Sequence, residues 1–437
     1  MRKHKRRYKL LLAIGYWLIA YPLYSQINSD SLISVYTQKM KKYLDKENKA
    51  SEVFSFTKEG IEVYAPATDT SQRKFEFIIN WDEKEWLKDL LSFTDFNHER
   101  LYKIFLKKGK GEILDTITFE ETHYGGCDDC IPKIFDGKRI ALDPGHIAGD
   151  LETAKREKKW VEMKNPQATL IEGELTLATA LILKKKLEDQ GAHVMLTRDK
   201  PNQSAFGVDY KKWKDSLFVK SLDSAYARGD ISFEEKNYLL HKANDTEIFR
   251  RFFMLEDVRE RARKINEFHP DLTLIIHYNV DETNQSWDKP TKKDYVMGFV
   301  GGSFAKDELD KPEARIDFLR LLLTDDVEHS IEFSKYIVGS LSEKLKVPAA
   351  LDSNAIYLRD NCMQTEANGV FCRNLTLTRM VRGTLCYGES LYQDNINECK
   401  LLSKKEIKVD GMQTSKRVEE VAEAYFQGIL NYIKSKK

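Results

Sequence analysis

Four side chains, far apart in the chain, are of the types that hydrolysis at a metal requires: His146, Glu172, His277 and Glu389. Two imidazoles and a carboxylate around one ion, with a fourth position open, form a catalytic zinc arrangement. Borderline-soft nitrogen with one hard oxygen suits Zn2+, and an ion so held lowers the pKa of water toward ~7. A further carboxylate, Glu389, would act as general base and then as the acid that protonates a leaving amine. Glu174 is the rival of Glu172, and Glu366 the rival of Glu389.

These residues matter only if the chain carries them to one place. Ile140-Ala141-Leu142 is a short apolar run stopped by Asp143-Pro144-Gly145, so His146 follows the carboxyl end of a buried strand. In open α/β sheets ligands bind at that edge. Residues 272–276, a β-branched apolar run, predict a second buried strand that delivers His277 to the same edge. Between them, Glu172 opens a helix whose apolar face is Leu175, Leu177, Ala178, Leu181, Ile182, Leu183 and Leu187, ended by Gln190-Gly191. A strand over 194–196 follows, completing a βαβ unit and so a parallel sheet.

Further strands are predicted over 295–300, 356–358 and 385–387, the last ending at Gly388-Glu389, with helices over 258–268, 328–345 and 418–433. Residues 147–169, polar and of mixed charge, are expected to form a loop over the site. The fold class is α/β: a mostly parallel twisted sheet with helices on both faces, plus a small N-terminal α+β accessory domain. Domains are expected at 1–25 (signal peptide), 26–137 (accessory, with a helix over 31–44 and strands over 53–56, 61–64 and 75–79) and 138–437 (catalytic). The catalytic part carries insertions near 200–257, aromatic-rich and helical, and near 302–327, polar and charged.

Lys+Arg 70 against Asp+Glu 69 leaves a formal charge of +1, so no global field points to nucleic acid or an anionic membrane as partner. Six basic residues among the first nine precede an apolar run over 10–24 that is shorter than the ~20 residues of a spanning helix and contains Pro22. That pattern predicts a signal peptide cleaved after Ser25, export, and no stable membrane span after cleavage; the alternative is an uncleaved anchor. Of the six cysteines, Cys127 and Cys130 form the single C-x-x-C, too few for a four-thiolate zinc site, while Cys362 with Cys372 and Cys386 with Cys399 are candidate local bridges.

With these motifs in order, residues 139–397 resemble the zinc-dependent N-acetylmuramoyl-L-alanine amidases of the type-3 amidase fold. The resemblance rests on Ile140-Ala-Leu-Asp-Pro-Gly-His146, on Glu172 with Leu177-Ala178, on Leu196-Thr-Arg-Asp199, and on the Arg261 helix. Ile275-Ile-His-Tyr-Asn279 and Cys386-Tyr-Gly-Glu389 complete it. It implies zinc on His146, Glu172 and His277, catalysis by Glu389, and cleavage of the amide between N-acetylmuramic acid and L-alanine in peptidoglycan. The periplasm or cell envelope of a bacterium is the implied location. Ile147 stands where the family usually has Gly, and Ile276 where it usually has Ser. Some relatives carry helices over the zinc, so 200–257 is expected to be either an inhibitory lid displaced by an activator protein or a surface elaboration. An inactive peptidoglycan-binding or regulatory module, and a zinc hydrolase of a different amide or ester, are the alternative functions.

Overall fold

The computed structural model describes residues 7–9, 29–65, 73–92, 105–107, 118–120 and 133–437. The predicted signal peptide, apart from 7–9, and Cys127 and Cys130 lie outside the described residues. Among the described residues no helix is long and apolar enough to cross a membrane. The chain divides into two compact units, residues 1–132 with 302–325, and residues 133–301 with 326–437.

The first unit is α+β. Helix Ser29–Lys39 precedes an antiparallel sheet of Phe54–Phe56, Gly60–Ala65 and Lys74–Asn80, which helix Lys84–Ser92 follows. Residues 302–325, expected as a polar insertion of the catalytic part, group with this unit instead. Helix Pro312–Leu323 is buried from Ala314 to Leu323, because Ile316, Phe318, Leu319 and Leu321–Leu323 are apolar around the helix rather than along one stripe. Phe318 stacks on Phe54 with ring centroids 4.5 Å apart.

The second unit is built on a seven-stranded mixed sheet. Its strands are β1 (Arg139–Pro144), β4 (His193–Leu196), β5 (Leu272–Asn279), β6 (Met297–Val300), β7 (Cys362–Gln364), β8 (Val370–Arg373) and β9 (Leu385–Tyr392), in the order β7-β8-β6-β9-β5-β1-β4. Four of the six neighbouring pairs are parallel, including the run β4-β1-β5-β9. The central strand β5 is buried from Leu272 to Tyr278, as its continuous apolar run requires. Helix α2 (Glu172–Asp189) follows β1 and ends at Gly191, whose φ of 96° suits glycine. Helices α8 (Asp326–Leu345) and α10 (Lys416–Ser435) extend the helical layers.

Three secondary-structure expectations are corrected here. Residues 147–169 are not a loop: they form helix α1 (Leu151–Glu157), capped by the Asp150 carboxylate on the Thr153 N–H, and a hairpin of β2 (Trp160–Lys164) and β3 (Gln167–Ile171). The strand expected over 356–358 is helix α9 (Ile356–Asn361), and the neighbouring strands are β7 and β8. Three apolar residues are too few for the period to separate helix from strand. Strand β9 does not end at Glu389 but continues to Tyr392, so Glu389 sits within the sheet. The insertion at 200–257 is helical, as expected: α3 (Tyr210–Ser216), α4 (Phe218–Arg228), α5 (Phe233–His241) and α6 (Asp245–Ile248). A π-helical turn, Phe249–Phe253, then leads into α7 (Met254–Phe268). Cys362, Cys372, Cys386 and Cys399 are buried and not disulfide-bonded, so neither candidate bridge is formed.

Candidate metal centre and active site

Strand β1 ends in Pro144, and the chain turns away through Gly145 to His146, which holds a left-handed backbone at φ 57°. A Cβ at Gly145 would lie 2.3 Å from the His277 ring, so only glycine allows the turn to pass that close. Buried Arg198, two residues beyond β4, fastens the turn. Its Nε donates to the Pro144 carbonyl at 3.2 Å, and its Nη2 to the carbonyls of Gly145 and Gly173 at 3.1 and 2.8 Å. Arg261 on α7 adds a bond to the Pro144 carbonyl at 3.0 Å and pairs with Asp257 at 2.8 Å. Asp143, buried, accepts from the Thr197 hydroxyl.

Glu157, the last residue of α1, lies under His146. Its Oε1 is 3.1 Å from His146 Nδ1, and it accepts from the N–H groups of Ile147 and Ala148 at 3.2 Å. An imidazole that donates Nδ1–H to a carboxylate keeps the lone pair of Nε2 for the cleft. His146 Nε2 is buried and accepts and donates no hydrogen bond, and it points toward Glu172 Oε1 at 3.3 Å.

Glu172 is the first residue of α2, directly after β3. It is 1% exposed, and its Oε1 also meets His277 Nδ1 at 2.9 Å and the Tyr278 N–H at 3.3 Å. Lys159 Nζ is 3.8 Å from its other oxygen. One ligand atom from each of His146, Glu172 and His277 lies within 4.8 Å of the others. Burial pushes the Glu172 carboxyl up, but the positive fields of His146 and Lys159 and the bond to His277 hold it well below the usual carboxylate range. Burial pushes His277 down to about 4, leaving it neutral near pH 7, as a metal ligand must be.

Glu389 arrives by sheet register. It pairs with His277 across the parallel β5–β9 ladder, and paired positions of neighbouring strands share a face about 4.8 Å apart. Tyr387 stacks on His277 with centroids 4.5 Å apart. Glu389 Oε2 is buried without a hydrogen-bond partner, and burial, followed by the negative charge of Glu172, raises its carboxyl to about 8. All four expected residues line one cleft of about 360 Å³, and neither Glu174 nor Glu366 does. The helices of the insertion add no residue to that lining; their aromatic core of Tyr210, Trp213, Phe249 and Phe253 packs on buried Ile147 instead.

Glu157 is the site residue that sequence reasoning missed. It sits in a stretch crowded with charges (Glu152, Lys155, Arg156, Lys158), and only the fold separates it from them. Arg198 was visible as a strand-exit residue, but not as the group that fastens the His146 turn.

A family model described as N-acetylmuramoyl-L-alanine amidase matches residues 140–431, and the chain belongs to that family. Among curated proteins it is similar to a probable cell wall amidase, LytH, of two Staphylococcus epidermidis strains, 36% identical over 97 residues. That match covers 21% of this chain and 30% of the relative's length. Among solved structures it is similar to the CwlD amidase of Clostridioides difficile in complex with the GerS lipoprotein, at 17% identity and a TM-score of 0.39 over 68% of this chain and 99% of that one. The N-acetylmuramyl-L-alanine amidase Ami1 of Mycobacterium smegmatis aligns at 14% identity and a TM-score of 0.39, over 69% and 99%.

Proposed function

We propose that the chain is a zinc-dependent peptidoglycan hydrolase that cleaves the amide between the lactyl group of N-acetylmuramic acid and L-alanine, exported to the cell envelope. The observation that carries this reading is the convergence of two imidazoles and a carboxylate beside an unpartnered carboxyl oxygen, within the span that the family model matches. The donor set fits the metal: His146 Nε2 is buried with no hydrogen-bond partner, and His277 needs no proton removed at neutral pH.

Held by His146, Glu172 and His277, zinc would supply a Lewis acid for the amide carbonyl and for the attacking water. Glu157 keeps the His146 ring turned and its Nδ1 protonated. Glu389 takes a proton from the attacking water as the water oxygen bonds to the carbonyl carbon. It returns that proton to the nitrogen as the C–N bond breaks, so the products are a free peptide amine and a lactyl carboxylic acid, which then loses its proton to water. The basic and apolar start of the sequence supports export.

Purified peptidoglycan sacculi provide the test. Release of free peptide stems from intact glycan strands, abolished by a chelator and restored by Zn2+, is the expected result. Stoichiometric zinc without stem release would redirect the reading to another amide or ester. Absence of zinc binding would favour an inactive binding module.

A further inference from the structure

Beyond the four residues above, the cleft holds a cation with an unusual setting. Arg373 ends strand β8, two strands lateral to Glu389, and lines the same cleft as Glu389, Tyr387 and Tyr357. Its guanidinium carbon lies 4.9 Å from the Phe299 ring centroid and 4.8 Å from that of Tyr357. Tyr357 is itself fixed, its hydroxyl accepting from Asn279 Nδ2 at 3.1 Å. The guanidinium makes no hydrogen bond or ion pair among the described residues, whereas the cleft's other cation, Lys159, lies 3.8 Å from Glu172.

Aromatic rings hold the plane of a guanidinium by its faces and leave its N–H edges available. A fixed fork of donors with no acceptor is the complement of a carboxylate, which it binds bidentately. Glu389 marks which half of the substrate lies there. The group that returns a proton to the nitrogen stands on the side where the new amine departs, and the Arg373 strand lies on the far side of the Glu389 strand from the His277 strand. We infer that Arg373 is a specificity residue that binds a free carboxylate on the peptide side of the scissile amide, an inference that rests on the function proposed above. In a peptidoglycan stem that group is the backbone or side-chain carboxylate of an acidic residue following L-alanine.

The test compares two soluble muramyl dipeptides, one with a free carboxylate on the second residue and one with that carboxylate amidated, on wild type, Arg373→Met and Arg373→Lys. A charge-assisted, bidentate bond corresponds to a change of about 10- to 100-fold. Wild type is expected to prefer the carboxylate substrate by that factor in kcat/KM. Arg373→Met should raise KM for the carboxylate substrate, leave kcat within about 2-fold and erase the preference. Arg373→Lys, keeping charge without the fork, should restore part of it. Zinc content and Tm read alongside show that the variants are folded. Equal turnover of both substrates by wild type would overturn the assignment while leaving the amidase reading intact, as would a fall in kcat on both substrates in Arg373→Met, which would give Arg373 a role through Glu389. If wild type cleaves neither substrate and releases no stems from sacculi, the amidase reading fails and the assignment falls with it.

Discussion

His146 and His277 face the same carboxylate from two differently built walls. The His277 wall is sheet. Strand β5 runs between β1 and β9, the ladder sets His277 opposite Glu389, and the Ser390 hydroxyl donates to the His277 carbonyl at 3.0 Å. Register alone delivers both side chains. The His146 wall is irregular. Its backbone is left-handed, its turn is tied by Arg198 and Arg261, and its ring is set by Glu157 at the end of a two-turn helix. The helical insertion supports that helix as well as Ile147: Arg250 donates to the Arg156 and Lys155 carbonyls at 2.7 and 3.1 Å. A ligand outside regular structure needs a network of side chains to replace what a ladder supplies through its backbone, and here 200–257 forms part of that network.

The comparison breaks most visibly at Glu157. Glu157→Ala removes the acceptor of His146 Nδ1–H and of two backbone N–H groups, so zinc affinity should fall about 10- to 100-fold. Equilibrium dialysis against a competing chelator measures it, and unchanged affinity would mean that the turn alone sets His146. A smaller effect is expected at Ile147, which has no exposed surface. Ile147→Ala opens a cavity between the turn and the insertion's aromatic core and should cost about 2–4 kcal/mol in stability. A loss of zinc affinity of a few-fold should accompany it. Loss of stability with full zinc affinity would show that the insertion stabilises the domain without positioning the ligand.

The same contrast explains what the sequence made legible. His277 could be placed because residues 272–276 are apolar except for the β-branched Thr273, a pattern that fits a buried strand, and Pro270 set its start. Glu172 could be placed because it opens a helix with a clear apolar face. His146 followed from the strand and turn before it, although the Glu157 contact did not, since a single carboxylate among many charges carries no period. Strands β7 and β8 were hidden for a related reason. They are three and four residues long, at one side of the sheet, and their existence rests on pairing, β8 with β6 and β7 with β8, rather than on any local pattern. Helix Pro312–Leu323 escaped because the stretch that leads into it, from Lys306 to Arg315, is charged and masks the apolar run that follows.

The claim at the centre of this account is that the zinc-holding residues and the proton-moving residue are separate groups lining one cleft. Zinc content and stem release, measured together on wild type, His277→Ala and Glu389→Gln, test it most directly. The account predicts that His277→Ala loses both metal and activity, whereas Glu389→Gln retains a full equivalent of zinc and loses about 100- to 10,000-fold in rate. Zinc lost from Glu389→Gln, or activity kept by it, would contradict the separation.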